Sequence, residues 1–318
     1  MAPRSAYRPF AVTLTRRTRL SDTFYRLTFT GPELAEFADT CLDQRIKLVF
    51  GTDAQLDEAA AADDWATWWR EQPNESRPTM RTYTARYVRR DAREVDVDFV
   101  THGSEGPASR FALTAEPGDR LVIVGAYADH PEADTQGLAW RRDGAPSVLL
   151  VGDETAQPAI ANILRSLPAH VSGAAFVEVP SPGDAMEMVT DAEVAVSYLP
   201  RSASDERGSL LASAVFAWAD ERAEGAADGS AAGTSGHGSP SAGGASAAGS
   251  ASDDEDATTT ETGILWEEGA AGPGLRVWVA ADAQTVRELR RGLLRERGYD
   301  RKSCSFMGYW KQGSREGE

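Results

Sequence analysis

Arg81, Thr82, Tyr83 and Thr84 stand together in "RPTMRTYTARYV", residues 77–88, a stretch that reads as a strand. Side chains alternate along a strand, so Arg81 and Tyr83 share one face while Thr82 and Thr84 share the other. A guanidinium suits bidentate contact with a phosphate, a tyrosine ring stacks on a flat heterocycle, and a hydroxyl or backbone donor can meet a ring nitrogen. The same residue types also serve ordinary cross-strand pairing.

Three further junctions could hold an anion. In "SVLLVGDETAQPAI" an apolar strand ends at Gly152, and Asp153, Glu154 and Thr155 precede a helix. Unpaired N–H groups at a helix start favour negative charge, although Asp153 or Thr155 could simply cap the helix, and the three-glycine dinucleotide fingerprint is absent. "VWVAADAQTVRELRR" places Ala280, Ala281 and Asp282 at a second strand-to-helix junction, so the two together fit a crevice at one edge of a parallel sheet. "DFVTHGSEGPASRFA" runs from a strand through His102, Gly103, Gly106 and Pro107 into a helix with Ala108 and Ser109, and its glycines again offer backbone amides, or only a turn.

The elements that must position these residues change character near residue 145. Before it, short runs such as "AVTLTRR", "FYRLTFTGPE", "RIKLVFG", "EVDVDFV" and "DRLVIVG" predict an antiparallel β-barrel over residues 5–130. After it, apolar strands followed by helical stretches predict a parallel-sheet α/β domain over residues 145–318. "DDWATWWREQ" reads as a helical excursion between barrel strands. A Gly/Ser/Ala-rich acidic stretch at about 223–262 has too little apolar surface to order itself and reads as a disordered loop insertion.

Composition excludes several classes. The net charge is −16, and −9 remains without the seven acids of the insertion, so nucleic acid is not an expected partner. No apolar run reaches the roughly 20 residues of a membrane span and the start lacks a signal-peptide core, so the chain is expected in the cytoplasm, without membrane insertion; a monomer is expected. Cys41 and Cys304 have no partner at metal-ligand spacing, so no metal site is expected.

The order and spacing of "MRTYT", "VDFVTHGSEGPASRFA" with "PGDRL", "LLVGDETAQPAI", "VSYLPR", "VWVAADAQTVRELRRGLLRERG" and "MGYWKQG" resemble the siderophore-interacting protein family, ferric-siderophore reductases related to ferredoxin reductases. The resemblance runs over nearly the whole chain. It implies a Greek-key barrel that binds FAD, followed by a Rossmann-like domain that binds NADPH or NADH. Arg81 would then contact the flavin pyrophosphate, Tyr83 the isoalloxazine and Thr84 its reactive edge, with Thr82 and Asp98 counted in the same cofactor set. His102, Gly106, Ala108 and Ser109 would hold the phosphates and adenine side. Gly152, Asp153, Thr155, Ala156 and Asp282 would meet the nicotinamide dinucleotide, Arg201 a 2′-phosphate, and Lys47 the ferric siderophore.

The implied reaction is hydride transfer from NAD(P)H to FAD, then one-electron transfer to Fe(III), with release of Fe(II). Chemistry of this kind belongs to the cofactor, so no catalytic side chain is assigned. The chain departs from the family pattern at Ala280-Ala281-Asp282, where Ala-Gly-Glu is usual; Ala281 adds a methyl group at an expected close approach. Two alternatives stand beside the reductase: a flavin-binding siderophore-interaction protein without nicotinamide turnover, and a ferredoxin-type reductase with a protein acceptor.

Overall fold

The structure, a computed structural model, describes residues 6–101, 103, 106–231, 264–270 and 274–311. The first half holds β1 (Tyr7–Arg19), β2 (Phe24–Thr30), β3 (Arg45–Phe50), α1 (Asp53–Ala61), α2 (Trp65–Glu71), β4 (Thr79–Arg89), β5 (Glu94–Val100), α3 (Pro107–Thr114) and β6 (Arg120–Ala126). Its six strands close into an antiparallel barrel in the order β1-β2-β5-β4-β3-β6. Alternation sets its inside: Phe10, Val12, Leu27, Phe29, Ile46, Leu48, Val97, Phe99 and Ile123 fill one core. On the outer face, Val49, Met80, Val122 and Val124 are covered by α1 and by the tryptophans of α2, Trp65, Trp68 and Trp69. The expected excursion is therefore a helix pair packed on the barrel wall. Thr52 and Gln55 start it with a capping box.

The second half holds β7 (Ser147–Gly152), α4 (Gln157–Ser166), β8 (Ser172–Val179), β9 (Glu193–Pro200), α5 (Ser209–Ala231), β10 (Trp266–Glu267), β11 (Leu275–Asp282), α6 (Ala283–Arg291) and β12 (Cys304–Trp310). The sheet order is β10-β12-β11-β7-β8-β9, parallel except for the edge strand β10. From β7 the chain steps outward through β8 and β9, then resumes on the other side with β11 and β12. The order therefore reverses between β7 and β11, the position where open α/β sheets leave a crevice at their carboxyl ends. β7 is buried along its whole length, which its unbroken apolar run requires. Helix α5 continues to Ala231, into the stretch expected as an insertion; residues 232–262 lie outside the described residues.

Polar pins join the halves. Asp43, ahead of β3, accepts from the backbone N–H groups of Ala139 and Trp140 at 3.1 and 2.9 Å and from Trp278 Nε1 of β11 at 3.0 Å. Asn162 of α4 donates to the carbonyls of Leu42 and Ala85 at 3.0 and 2.9 Å and accepts from Arg86 at 2.6 Å. Asp184, after β8, accepts from the hydroxyls of Ser21, Thr23 and Ser181 at 2.5, 2.7 and 2.8 Å. Among the described residues no helix is long and apolar enough to cross a membrane.

Candidate functional site

The barrel wall opens where the opening motif lies. Pairing of β4 with β5 runs from Arg89↔Glu94 to Ala85↔Val97 and goes no further. Beyond that point β4 continues toward Thr79 paired with β3, and β5 toward Val100 paired with β2. Two strands that part in this way leave a slot between Arg81–Thr84 and Asp98–Val100. The Tyr83 ring lies inside the mouth, 4.4 Å from the Phe99 ring centroid and tilted 38° to it. Arg81 shares its face, and its guanidinium donates to the Met80 carbonyl at 2.7 Å. Thr82, Thr84, Lys47 and Arg45 lie on the opposite face, paired in register across β3 and β4. Lys47 Nζ donates to Thr82 Oγ1 at 2.5 Å.

Past the end of β5 the chain reaches α3 through glycines in the left-handed region, Gly103 at φ +74° and Gly106 at φ +88°. Among the described residues, a methyl group placed on either would meet no atom within 4 Å beyond its chain neighbours, which leaves room there for a phosphate-sized group. The slot, its flat aromatic pair and this open helix start fit a flavin dinucleotide. His102 lies outside the described residues. Asp98 borders the slot with its backbone only: its carboxylate is buried on the outer face, bound by Arg26 at 2.7 and 2.8 Å, with Arg86 at 3.5 Å.

At the crevice of the parallel sheet, Asp153 gathers the carboxyl ends of three strands. Its Oδ1 accepts from Thr155 N and Oγ1 at 2.9 and 2.5 Å; its Oδ2 accepts from Asp282 N at 3.0 Å and from Trp310 Nε1 at 2.9 Å. Burial, and then the charge of Glu154, push the Asp153 carboxyl up to about 6 against those hydrogen bonds. Asp282 caps α6, accepting from Gln284 N, Thr285 N and the Thr285 hydroxyl. Gly152 allows α4 to close on β7, since a methyl group there would stand 2.5 Å from Ala156 Cβ. The Ala281 methyl is buried with Val279, Val286 and Phe306, in the core beneath the helices.

Arg201 is held by two buried glutamates. It donates bidentately to Glu154 at 2.9 and 3.0 Å and to Glu178 at 3.0 Å. Burial alone would raise the Glu154 carboxyl, but Arg201 and then Arg207 reverse this and hold it below the usual range. The two halves meet close to these residues, at Asn162 with the Ala85 carbonyl and at Arg45 with Trp266. Tyr309, beside Trp310 on β12, feels the charges of Asp43 and Arg45 on the barrel side and of Asp153 in the crevice; burial, the larger influence, raises its phenol well above the ordinary value. Arg45, paired with Thr84 in register, stacks 4.1 Å over Trp266 of β10.

Glu154, Glu178 and Arg207 were not among the sequence-predicted cofactor residues. The signal available for Glu178 was an acid inside the apolar run "AAFVEV". Asp43 and Asn162 carry none, because their roles exist only once the halves are docked.

Residues 13–130 match the family described as a siderophore-interacting FAD-binding domain, and residues 145–313 the family described as siderophore-interacting protein. An uncharacterized protein of Mycobacterium tuberculosis is 32% identical over 283 residues, 86% of this chain and 80% of the relative. The ferric vibriobactin reductase ViuB of Vibrio cholerae is 28% identical over 195 residues, 61% of this chain and 67% of its own. An NADPH-dependent ferric-chelate reductase of Escherichia coli is 31% identical over 157 residues, 49% and 56% of the two chains. Among solved structures, the siderophore-interacting protein SipS of Aeromonas hydrophila superposes with a TM-score of 0.62 at 25% identity, covering 98% of this chain and 95% of that one.

Proposed function

This chain belongs to the siderophore-interacting protein family, and from that premise we propose that it reduces ferric siderophores in the cytoplasm as a monomer, using FAD and electrons from NADPH or NADH. The observation that carries the reading is the presence in one chain of a β4–β5 slot, with Tyr83 and Phe99 at its mouth, and a β7–β11 crevice, with Asp153, Asp282 and Trp310 at its edge, in halves pinned together by Asp43, Asn162 and Asp184. The ferric vibriobactin reductase and the ferric-chelate reductase among the relatives support the substrate class and the donor.

FAD, when bound, accepts a hydride from reduced nicotinamide and returns electrons singly to ferric iron. The protein positions the parts. Arg81 supplies a fork for phosphate, Tyr83 a stacking face and Thr84 a hydroxyl at the edge turned toward the second half, while the amides around Gly106, Ala108 and Ser109 receive the remaining phosphate. Gly152, Thr155, Ala156 and Asp282 shape the crevice for the nucleotide. Lys47 and Thr82 present a cation and a hydroxyl on the outer face beside them, suited to orienting an anionic ferric chelate. Iron bound in a chelator needs no ligand set from the protein.

Steady-state formation of ferrous iron, trapped by a ferrous-specific chelator, should be faster with ferric siderophores than reduction of ferredoxin-type proteins under the same NADPH supply. A clear preference for the protein acceptor would make this a ferredoxin-type reductase instead.

A further inference from the structure

The donor reading leaves open which arginine meets the nucleotide's phosphates. Arg201, at the end of β9, is the residue that the sequence motif suggests, yet its side chain is only 10% exposed and both of its terminal nitrogens are bound to Glu154 and Glu178. Moving it toward a ligand would take the bidentate pair from Glu154 and the guanidinium from Glu178, two fully buried carboxylates, and breaking a buried ion pair is strongly unfavourable. Arg201 is therefore a structural strut of the sheet edge.

Arg207 is placed differently. The loop after Arg201 folds back across the carboxyl edge of the sheet and is fastened on both sides of Arg207's neighbour Gly208. Gly208 N donates to both Glu178 oxygens at 2.9 and 3.1 Å, and a methyl group on Gly208 would stand 2.1 Å from Thr285 Oγ1, so the loop presses on the start of α6. Gly208 has φ +83°, a conformation that favours glycine. This anchoring delivers the Arg207 guanidinium over the Trp310 ring, 4.8 Å from its centroid, at the crevice between β7 and β11. Its side chain is 33% exposed, and its Nη1 donates to Glu154 Oε1 at 2.6 Å. If Arg207 turns to a phosphate, Glu154 keeps the bidentate pair with Arg201 and no carboxylate is left bare. The second arginine on Glu154 is thus the exchangeable one.

We propose that Arg207, not Arg201, is the arginine that binds a phosphate of the nicotinamide nucleotide, exchanging Glu154 for the ligand. This rests on the reading that the chain uses NADPH or NADH. The chemistry recognised is a phosphate dianion or diester held by a guanidinium, supplied either by the 2′-phosphate or by the pyrophosphate.

Calorimetric titration of the FAD-loaded protein with NADP+ and with NAD+ tests it in the wild type, R207A and R207K. R207A should weaken binding about tenfold or more, the scale of one lost charge-assisted hydrogen bond, with R207K intermediate and the thermal midpoint little changed. Weakening of NADP+ alone assigns the 2′-phosphate; equal weakening of both nucleotides assigns the pyrophosphate. If the wild type binds nucleotide and R207A binds it equally well, the assignment is wrong while the donor reading stands. If the wild type binds neither nucleotide, the donor reading fails and takes the assignment with it.

Discussion

Asp153 receives four donated hydrogen bonds, two at each oxygen, and this has a testable cost. An amide can accept at its oxygen only, so in D153N either the Thr155 pair or the Asp282 and Trp310 pair must face an NH2 group. Emission from Trp310, read as the difference from W310F, should shift in D153N. The pH dependence has a defined sign. The folded carboxyl lies up at about 6, above its ordinary 3.8, so the folded state holds the proton more tightly between those values. Stability from this group is present at low pH and is lost as pH rises from about 4 through 6. The thermal midpoint of the wild type minus that of D153N should therefore fall across that window; a flat difference would show that Asp153 does not titrate there. At this scale the sequence identified Asp153 and Asp282 by their place after apolar strands, but it did not reveal that one accepts from the backbone of the other. That contact depends on β7 and β11 being neighbours, although more than a hundred residues separate them.

Among the elements, the change from antiparallel to parallel organisation was legible because the two kinds of sheet leave different hydrophobic patterns. Alternation in "EVDVDFV" gave β5 its two faces, and the unbroken "SVLLVG" gave β7 its burial on both sides. The parting of β4 from β5 was not legible, since nothing in a strand's own sequence says where its partner leaves it. The Asp98 side chain belongs to the face that meets Arg26 across the β2–β5 ladder, opposite the inward Val97 and Phe99. The docking of the two halves depends on elements too. Asp184 closes the turn between β1 and β2 onto the loop after β8, and burial, which would raise its carboxyl, is outweighed by the hydroxyls of Ser21, Thr23 and Ser181, which hold it below the ordinary value. D184A should lower the unfolding free energy in urea by about 2 kcal/mol, as several donors lose one buried acceptor. An unchanged transition midpoint would mean that the latch contributes nothing to docking.

For the whole molecule, composition set limits that the arrangement then used. A chain of net charge −16 attracts anions only through local cations, and the structure places these at the sites in question: Arg81 and Lys47 beside the slot and Arg207 over the crevice. What a sequence leaves out at this scale is the spatial relation of distant segments, here the meeting of Arg45, paired with Thr84, with Trp266 of β10 across the two halves. The proposed function depends on that docking, because a flavin held by the slot residues would need to be within reach of both a nucleotide in the crevice and a chelate beside the barrel. The most direct test is an anaerobic absorbance titration of the purified FAD-loaded protein, adding NADPH or NADH and then a ferric siderophore with a ferrous-specific chelator. The flavin absorbance should bleach with nucleotide and return as the ferrous complex forms in proportion. A bound flavin that neither nucleotide bleaches, or that stays bleached when the ferric siderophore is added, would contradict the proposed function.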